Sequence, residues 1–140
     1  MTYYVLDTNI CRLLMEKDPS IIQRVDSLPE DDVVCTTMIS FGESVGGWLP
    51  HCRRARNGVE RSKAYENLYE VFTFYRRMVC LRFDEQAAEI FEQLRPIKNR
   101  IGTNDTAIAA ITLSVNGILV TRNTVDFERV PNLALEDWTK

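Results

Sequence analysis

The chain has 140 residues, 45% hydrophobic and 26% charged, which excludes wholesale disorder and fits one domain over residues 1–140. Its 17 basic and 20 acidic side chains leave a formal charge of −3, so the basic field of a nucleic-acid-coating protein is absent. No uncharged apolar run approaches the roughly 18 residues that span a bilayer, and MTYYVLDTN shows no basic leader before an apolar stretch. A cytoplasmic protein without a membrane partner is expected.

Taken in order, Tyr3 to Leu6 predicts a first buried strand broken by Asp7-Thr8-Asn9, and Ile10 to Glu16 a helix with Thr8 or Asn9 as its cap. Pro19 opens a helix to about Ser27, which Pro29 ends. Val33 to Thr36 predicts a second strand, and a helix runs from about Ile39 toward Trp48, where Gly46, Gly47 and Pro50 interrupt it. From about Gly58 to Met78, Val59, Leu68, Val71, Phe72 and Tyr75 recur at helical spacing and mark a long helix. Val79 to Phe83 is a third strand. Asp84 caps a helix bearing Ala87, Ala88, Ile90, Phe91 and Leu94, stopped near Pro96. Thr103-Asn104 opens a helix from Asp105 to Asn116, with Gly117 as its stop. Ile118 to Thr121 gives a fourth strand, Asn123 to Glu128 a turn or short helix, and Leu133 to Leu135 a fifth strand. Continuous apolar strands separated by helices predict an α/β fold, a three-layer α/β/α sandwich on a mostly parallel four- to five-stranded sheet.

The cysteines (Cys11, Cys35, Cys52, Cys80) contain no C-x-x-C pair and have only His51 to join them, so neither a zinc site nor a redox dithiol is expected. Cys35 and Cys80 sit in apolar runs as small core residues. His51, beside Pro50 and an arginine-rich stretch, is placed in a loop, and a lone histidine disfavours a Ser-His or Cys-His couple. Arg53, Arg54, Arg56, Arg61 and Lys63, opposed only by Glu60, are either a solvated face or a phosphate-contacting patch.

In a parallel sheet the functional crevice lies beyond the carboxyl ends of the strands, where strand order switches. Asp7 directly follows the first strand and Asp126 the fourth, while Asp105 and Glu43 open helices from the same rim. Unneutralised carboxylates packed together raise one another's pKa. A hard cation with several oxygen ligands, Mg²⁺ or Mn²⁺, relieves that repulsion. Thr8, Asn9, Asn104 and Asn123 stand beside the acids and can orient carboxylates or waters.

At these residues the chain resembles a known family. YYVLDTNIC, TTMISFGE around Glu43, IGTNDTAIAA around Asp105 and LVTRNTVDFERV near the end occur in order, and they look like the motifs of PIN-domain ribonucleases, specifically VapC-like toxins. The likeness runs from Tyr3 to the closing LALEDW. It implies a Mg²⁺-dependent endoribonuclease with Asp7, Glu43, Asp105 and Asp126 in its acidic pocket. Asp7 and Asp105 are implied as the principal ligands, with Thr8, Asn9 and Asn123 as polar support. It further implies a cognate antitoxin whose C-terminal segment crosses the toxin groove, and a homodimer. SVGGWLP after Glu43 and the arginines up to Lys63 depart from the family pattern.

Three other readings stay beside this one. A PIN-domain RNA-processing nuclease would share the site but have no antitoxin. An aspartyl-phosphate phosphohydrolase of the haloacid-dehalogenase kind would use Asp7 as nucleophile, yet it wants an aspartate where Asn9 stands; a receiver domain wants an acidic pair at the end of the first strand. A non-catalytic binding module would keep the groove but need no Mg²⁺.

Overall fold

Tyr3–Leu6 (β1) contains no charged side chain, so a sheet that accepts it must be covered on both faces. The computed structural model describes residues 1–140 and every side chain except that of Asn99. It places β1 at the centre of five strands, with β2 (Val33–Thr37), β3 (Val79–Leu81), β4 (Ile118–Val120) and β5 (Ala134–Glu136). The order is β3-β2-β1-β4-β5 and every pairing is parallel. Between strands the chain forms α1 (Thr8–Met15), α2 (Pro19–Ser27), α3 (Met38–Arg54) and α4 (Gly58–Arg77), then α5 (Glu85–Gln93), α6 (Arg95–Ile101), α7 (Thr103–Ser114) and α8 (Thr124–Phe127).

The two-residue period of the strands divides the interior into two cores. Val5, Cys35 and Leu119 face one side and meet Ile108, Ala109 and Phe127. Leu6 and Val120 face the other and meet Ile10, Ile21, Val71 and Tyr75. Helix α7 is buried continuously from Thr106 to Thr112. Its alanines allow close approach to the sheet. Its two buried threonines are satisfied within the helix, Thr106 Oγ1 donating to Gly102 O at 2.7 Å and Thr112 Oγ1 to Ile108 O at 2.9 Å.

Several expectations are corrected. The cap of α1 is Asp7 rather than Thr8 or Asn9, which are already helical. Helix α3 does not end near Trp48: it passes through Gly46, Gly47 and Pro50 to Arg54, so His51 is helical and not in a loop. Packing against α4 overrides the local breakers, with Phe41, Val45 and Trp48 set on the core of Val71 and Tyr75. Pro96 opens α6 instead of ending structure, as its fixed φ and missing N–H allow in a first turn. On α4 the buried residues are Ala64, Val71 and Tyr75, whereas Val59 and Phe72 face solvent. All four cysteines are free, and Cys11, Cys35 and Cys52 are buried.

The C-terminus holds an anchor that periodicity did not reveal. Trp138 is fully buried, its Nε1 donating to Glu136 Oε1 at 2.8 Å while Arg24 pairs with the same carboxylate at 2.8 Å. Tyr4 packs on the Trp138 ring with centroids 5.4 Å apart. Gly117 marks the tightest point of the α7–β4 connection: a Cβ there would stand 3.0 Å from the Tyr3 carbonyl oxygen and 3.2 Å from Val5 Cγ2. Because that oxygen belongs to the backbone of the central strand, it has no room to retreat. Gly117→Ala should destabilise the fold by roughly 1–3 kcal/mol, read as a lower midpoint in urea unfolding; an unchanged midpoint would mean the β1–β4 pair yields freely.

Candidate active site

Strand order reverses between β1 and β4, and the chain leaves both strands at the same edge. Asp7 sits there, only 6% exposed. Its N–H donates to Val120 O at 3.1 Å, and one carboxylate oxygen accepts the Ile10 N–H at 3.0 Å, capping α1. Burial raises its pKa, opposed by the Thr121 hydroxyl and the N–H groups of Ile10 and Asn9.

Helix α3 supplies Glu43. Thr37 caps that helix by accepting the Ser40 N–H at 3.1 Å, which sets Glu43 one turn further, opposite α1. Thr8 Oγ1 lies 2.5 Å from Glu43 Oε1 and 3.0 Å from Ser40 Oγ. Asn104 Nδ2 donates to the second Glu43 oxygen at 3.2 Å. Both carboxylate oxygens of Glu43 are therefore oriented by neighbours from different helices. Helix α7 supplies Asp105 in its first turn, after Gly102 turns the chain at φ 93°, a conformation that favours glycine. The Asp105 carboxyl is pushed up to about 6, first by burial and then by the charges of Glu43, Asp7 and Asp126.

Asp7, Glu43 and Asp105 line one cavity of about 270 Å³ together with Thr8, Asn9, Asn123 and Phe127. Asp126 is not in its wall. It lies on α8 at the rim, accepting from Asn123 Nδ2 at 3.0 Å, and it reaches Asp105 only through its charge. Asn104 faces an adjoining hollow walled by Glu43 and Asp105. Among the described residues, no three acidic side chains gather closely enough to enclose an ion by themselves. Nor does either ion pair among them, Arg24–Glu136 or Arg95–Glu92, touch the acids. Three contributors escaped sequence reasoning: Ser40, Thr121 and Phe127. Ser40 lies within the TTMISFGE stretch, but only the tertiary approach of α1 shows its use.

This arrangement of a reversed parallel sheet with carboxylates at the switch point defines the class: the chain belongs to the PIN-domain family, whose model matches residues 4–133. Within that family it groups with the VapC proteins. Ribonuclease VapC1 of Haemophilus influenzae is 36% identical over 140 residues, with 98% of each chain covered. The tRNA(fMet)-specific endonuclease VapC of Salmonella typhimurium is 32% identical over 143 residues, with 99% of each covered. The fold is also similar to a chain of VapBC-1 from nontypeable Haemophilus influenzae, with a TM-score of 0.81, 26% identity, and 99% and 100% coverage.

The raised Asp105 has a consequence for stability. Its folded pKa of about 6 exceeds the ordinary 3.8, so the folded state binds more protons than the unfolded one between those values. Without divalent cations, stability should therefore rise as pH falls from about 6 toward 4. Asp105→Asn should reduce this dependence to the part that Asp7 contributes and raise the melting temperature at pH 7 in chelator. A parallel pair of pH–stability curves for mutant and wild type would show that Asp105 is not under strain.

Proposed function

We propose that this protein is a metal-dependent endoribonuclease, the toxin of a toxin–antitoxin pair, and that residues 1–140 form one nuclease domain. The observation that carries the reading is the group of Asp7, buried, and Glu43 and Asp105, half-buried, around one cavity, with no ion pair to any of them among the described residues. Ribonuclease and endonuclease are the activities in the names of its VapC relatives, and the similar VapBC structure is consistent with an antitoxin as partner.

The donor set is all oxygen, carboxylates backed by hydroxyls and amides, and its members repel one another; both features fit a hard divalent cation. Asp7 and Asp105 are the residues to hold it. Glu43, in the same wall, and Asp126, at the rim, complete the negative field, acting through water or on a second ion. Mg²⁺ is the ion proposed, with Mn²⁺ as substitute. When bound, such an ion polarises a phosphoryl oxygen and lowers the pKa of water.

The chain's own residues do the rest. Asp7 is immobilised by its cap and its strand, so its carboxylate has a fixed direction. Thr8 and Asn104 prevent Glu43 from swinging into the space a phosphate needs. Attack by water at phosphorus, in line with the leaving oxygen, forms a new P–O bond and breaks the bond to O3′. The products are a 5′-phosphate and a 3′-hydroxyl, the latter taking up a proton. An aspartyl-phosphate route is disfavoured because Asn9, in the same wall, cannot serve as the acidic partner.

The purified protein should cleave structured RNA in Mg²⁺ or Mn²⁺ and lose that activity in EDTA, which a purely binding module would not require. Asp7→Asn is the sharper test, because asparagine caps a helix as well as aspartate. The fold should survive while cleavage falls by more than roughly a hundredfold, beyond the usual effect of an outer-shell partner. A folded mutant that cleaves at the wild-type rate would overturn the assignment of Asp7.

A further inference from the structure

We infer that the RNA strand flanking the cleaved bond follows the groove between α1, α3 and α4, with an unstacked base against Trp48 and His51 and its phosphates on Arg54, Arg56 and Lys63. This rests on the ribonuclease reading above and gives it a direction along the surface. Three cavities in series carry it. The acidic cavity shares Thr8, Asn9 and Glu43 with a larger one of about 470 Å³. That one in turn shares Trp48, His51 and Asn67 with a third, of about 330 Å³.

The charges of the three differ, and the difference decides what each can hold. The middle cavity has one cation, Arg12, against Glu16, Glu43 and Glu70. It repels a phosphate but not a neutral base. Trp48 and His51, one turn apart on α3 with ring centroids at 5.1 Å and planes 49° apart, give it an aromatic corner. Every base has a π-face, so such a corner accepts bases with little regard to sequence. The third cavity has Arg54, Arg56 and Lys63 against Glu60 alone, and Glu60 already accepts the Arg56 backbone N–H at 2.9 Å. It is the place for phosphates. Arg61 does not join them: its guanidinium donates to Cys52 O and Ala55 O, both at 3.2 Å, and so ties down the end of α3.

The two tryptophans are well suited to a test, since Trp138 is fully buried and Trp48 lines the groove. Binding is measured with Asp105→Asn protein and a single-stranded oligoribonucleotide, beside an abasic oligonucleotide of equal length. The oligoribonucleotide should quench Trp48 fluorescence and the abasic one should not; equal quenching would overturn the base site. By fluorescence anisotropy of labelled RNA, Trp48→Leu should weaken binding roughly fivefold to a hundredfold, the range of base–aromatic stacking, and Trp48→Phe should restore most of it. His51→Ala, at an exposed position, keeps the test valid if Trp48→Leu folds poorly. Replacing Arg54, Arg56 and Lys63 with alanine should flatten the salt dependence of binding.

Wild-type affinity in the Trp48→Leu and His51→Ala variants would overturn this inference while leaving the ribonuclease reading intact. A groove that binds apolar peptide but gives no quenching with RNA would also overturn it, assigning the surface to a protein partner. Failure of unaltered protein to cleave any RNA in Mg²⁺ would instead strike the ribonuclease reading.

Discussion

A carboxylate buried at the point where the sheet changes direction is the constraint on which the rest of the structure depends. Asp7 follows β1, accepts the Ile10 N–H in the first turn of α1, and is tied through its own N–H to β4. These bonds join the two strands whose connections diverge and aim one helix away from them. The same placement leaves the carboxylate little access to water, so its charge is costly. The stability that tolerates it comes from the two cores on either side of the sheet, neither of which contains a charged side chain.

Charge on this protein is informative locally and misleading globally. A net −3 conceals an acidic pocket and a basic rim separated by a groove of intermediate character. Opposite fields at such separation would be blurred by salt if both were fully exposed. The acids are not: Asp7 is buried and Asp105 half-buried, so their mutual repulsion persists. Arg54 and Arg56, by contrast, are exposed to solvent, where their fields are screened.

Strands and acids were legible in the sequence because each rests on a local rule. Tyr3–Leu6 and Ile118–Val120 are too apolar to be anything but buried, and an acid directly after such a strand falls at the functional edge. What escaped depends on contacts between distant segments. Gly46, Gly47 and Pro50 weaken a helix in isolation, but α3 persists because Trp48, Val45 and Phe41 are packed on α4. Val59 and Phe72 fit a helical period, yet the stripe that faces inward is Ala64, Val71 and Tyr75, because a small residue is needed where two helices approach. Trp138 follows a polar stretch and has no period at all. Beside its near neighbour Glu136, its burial depends on Arg24 and Tyr4, which lie on α2 and β1 more than a hundred residues earlier. Asp126 was expected in the acidic pocket, but the short helix α8 places it outside the cavity wall.

The placement of Glu43 shows how far the pocket is determined from outside itself. Its backbone position is that of α3, and α3 is located by α4: Ser44 Oγ and the Tyr75 hydroxyl are 2.8 Å apart, and the Phe41 and Tyr75 rings meet edge-on at 5.5 Å. Tyr75 is buried and belongs to a helix that contributes no side chain to the acidic cavity. A change there would therefore move a carboxylate it never touches. Because Thr8 couples Glu43 to α1, such a shift would also alter the wall shared by the acidic cavity and the groove beside it. The wall of the acidic cavity and the groove beside it are thus set by one helix pair, and neither can be reshaped without the other.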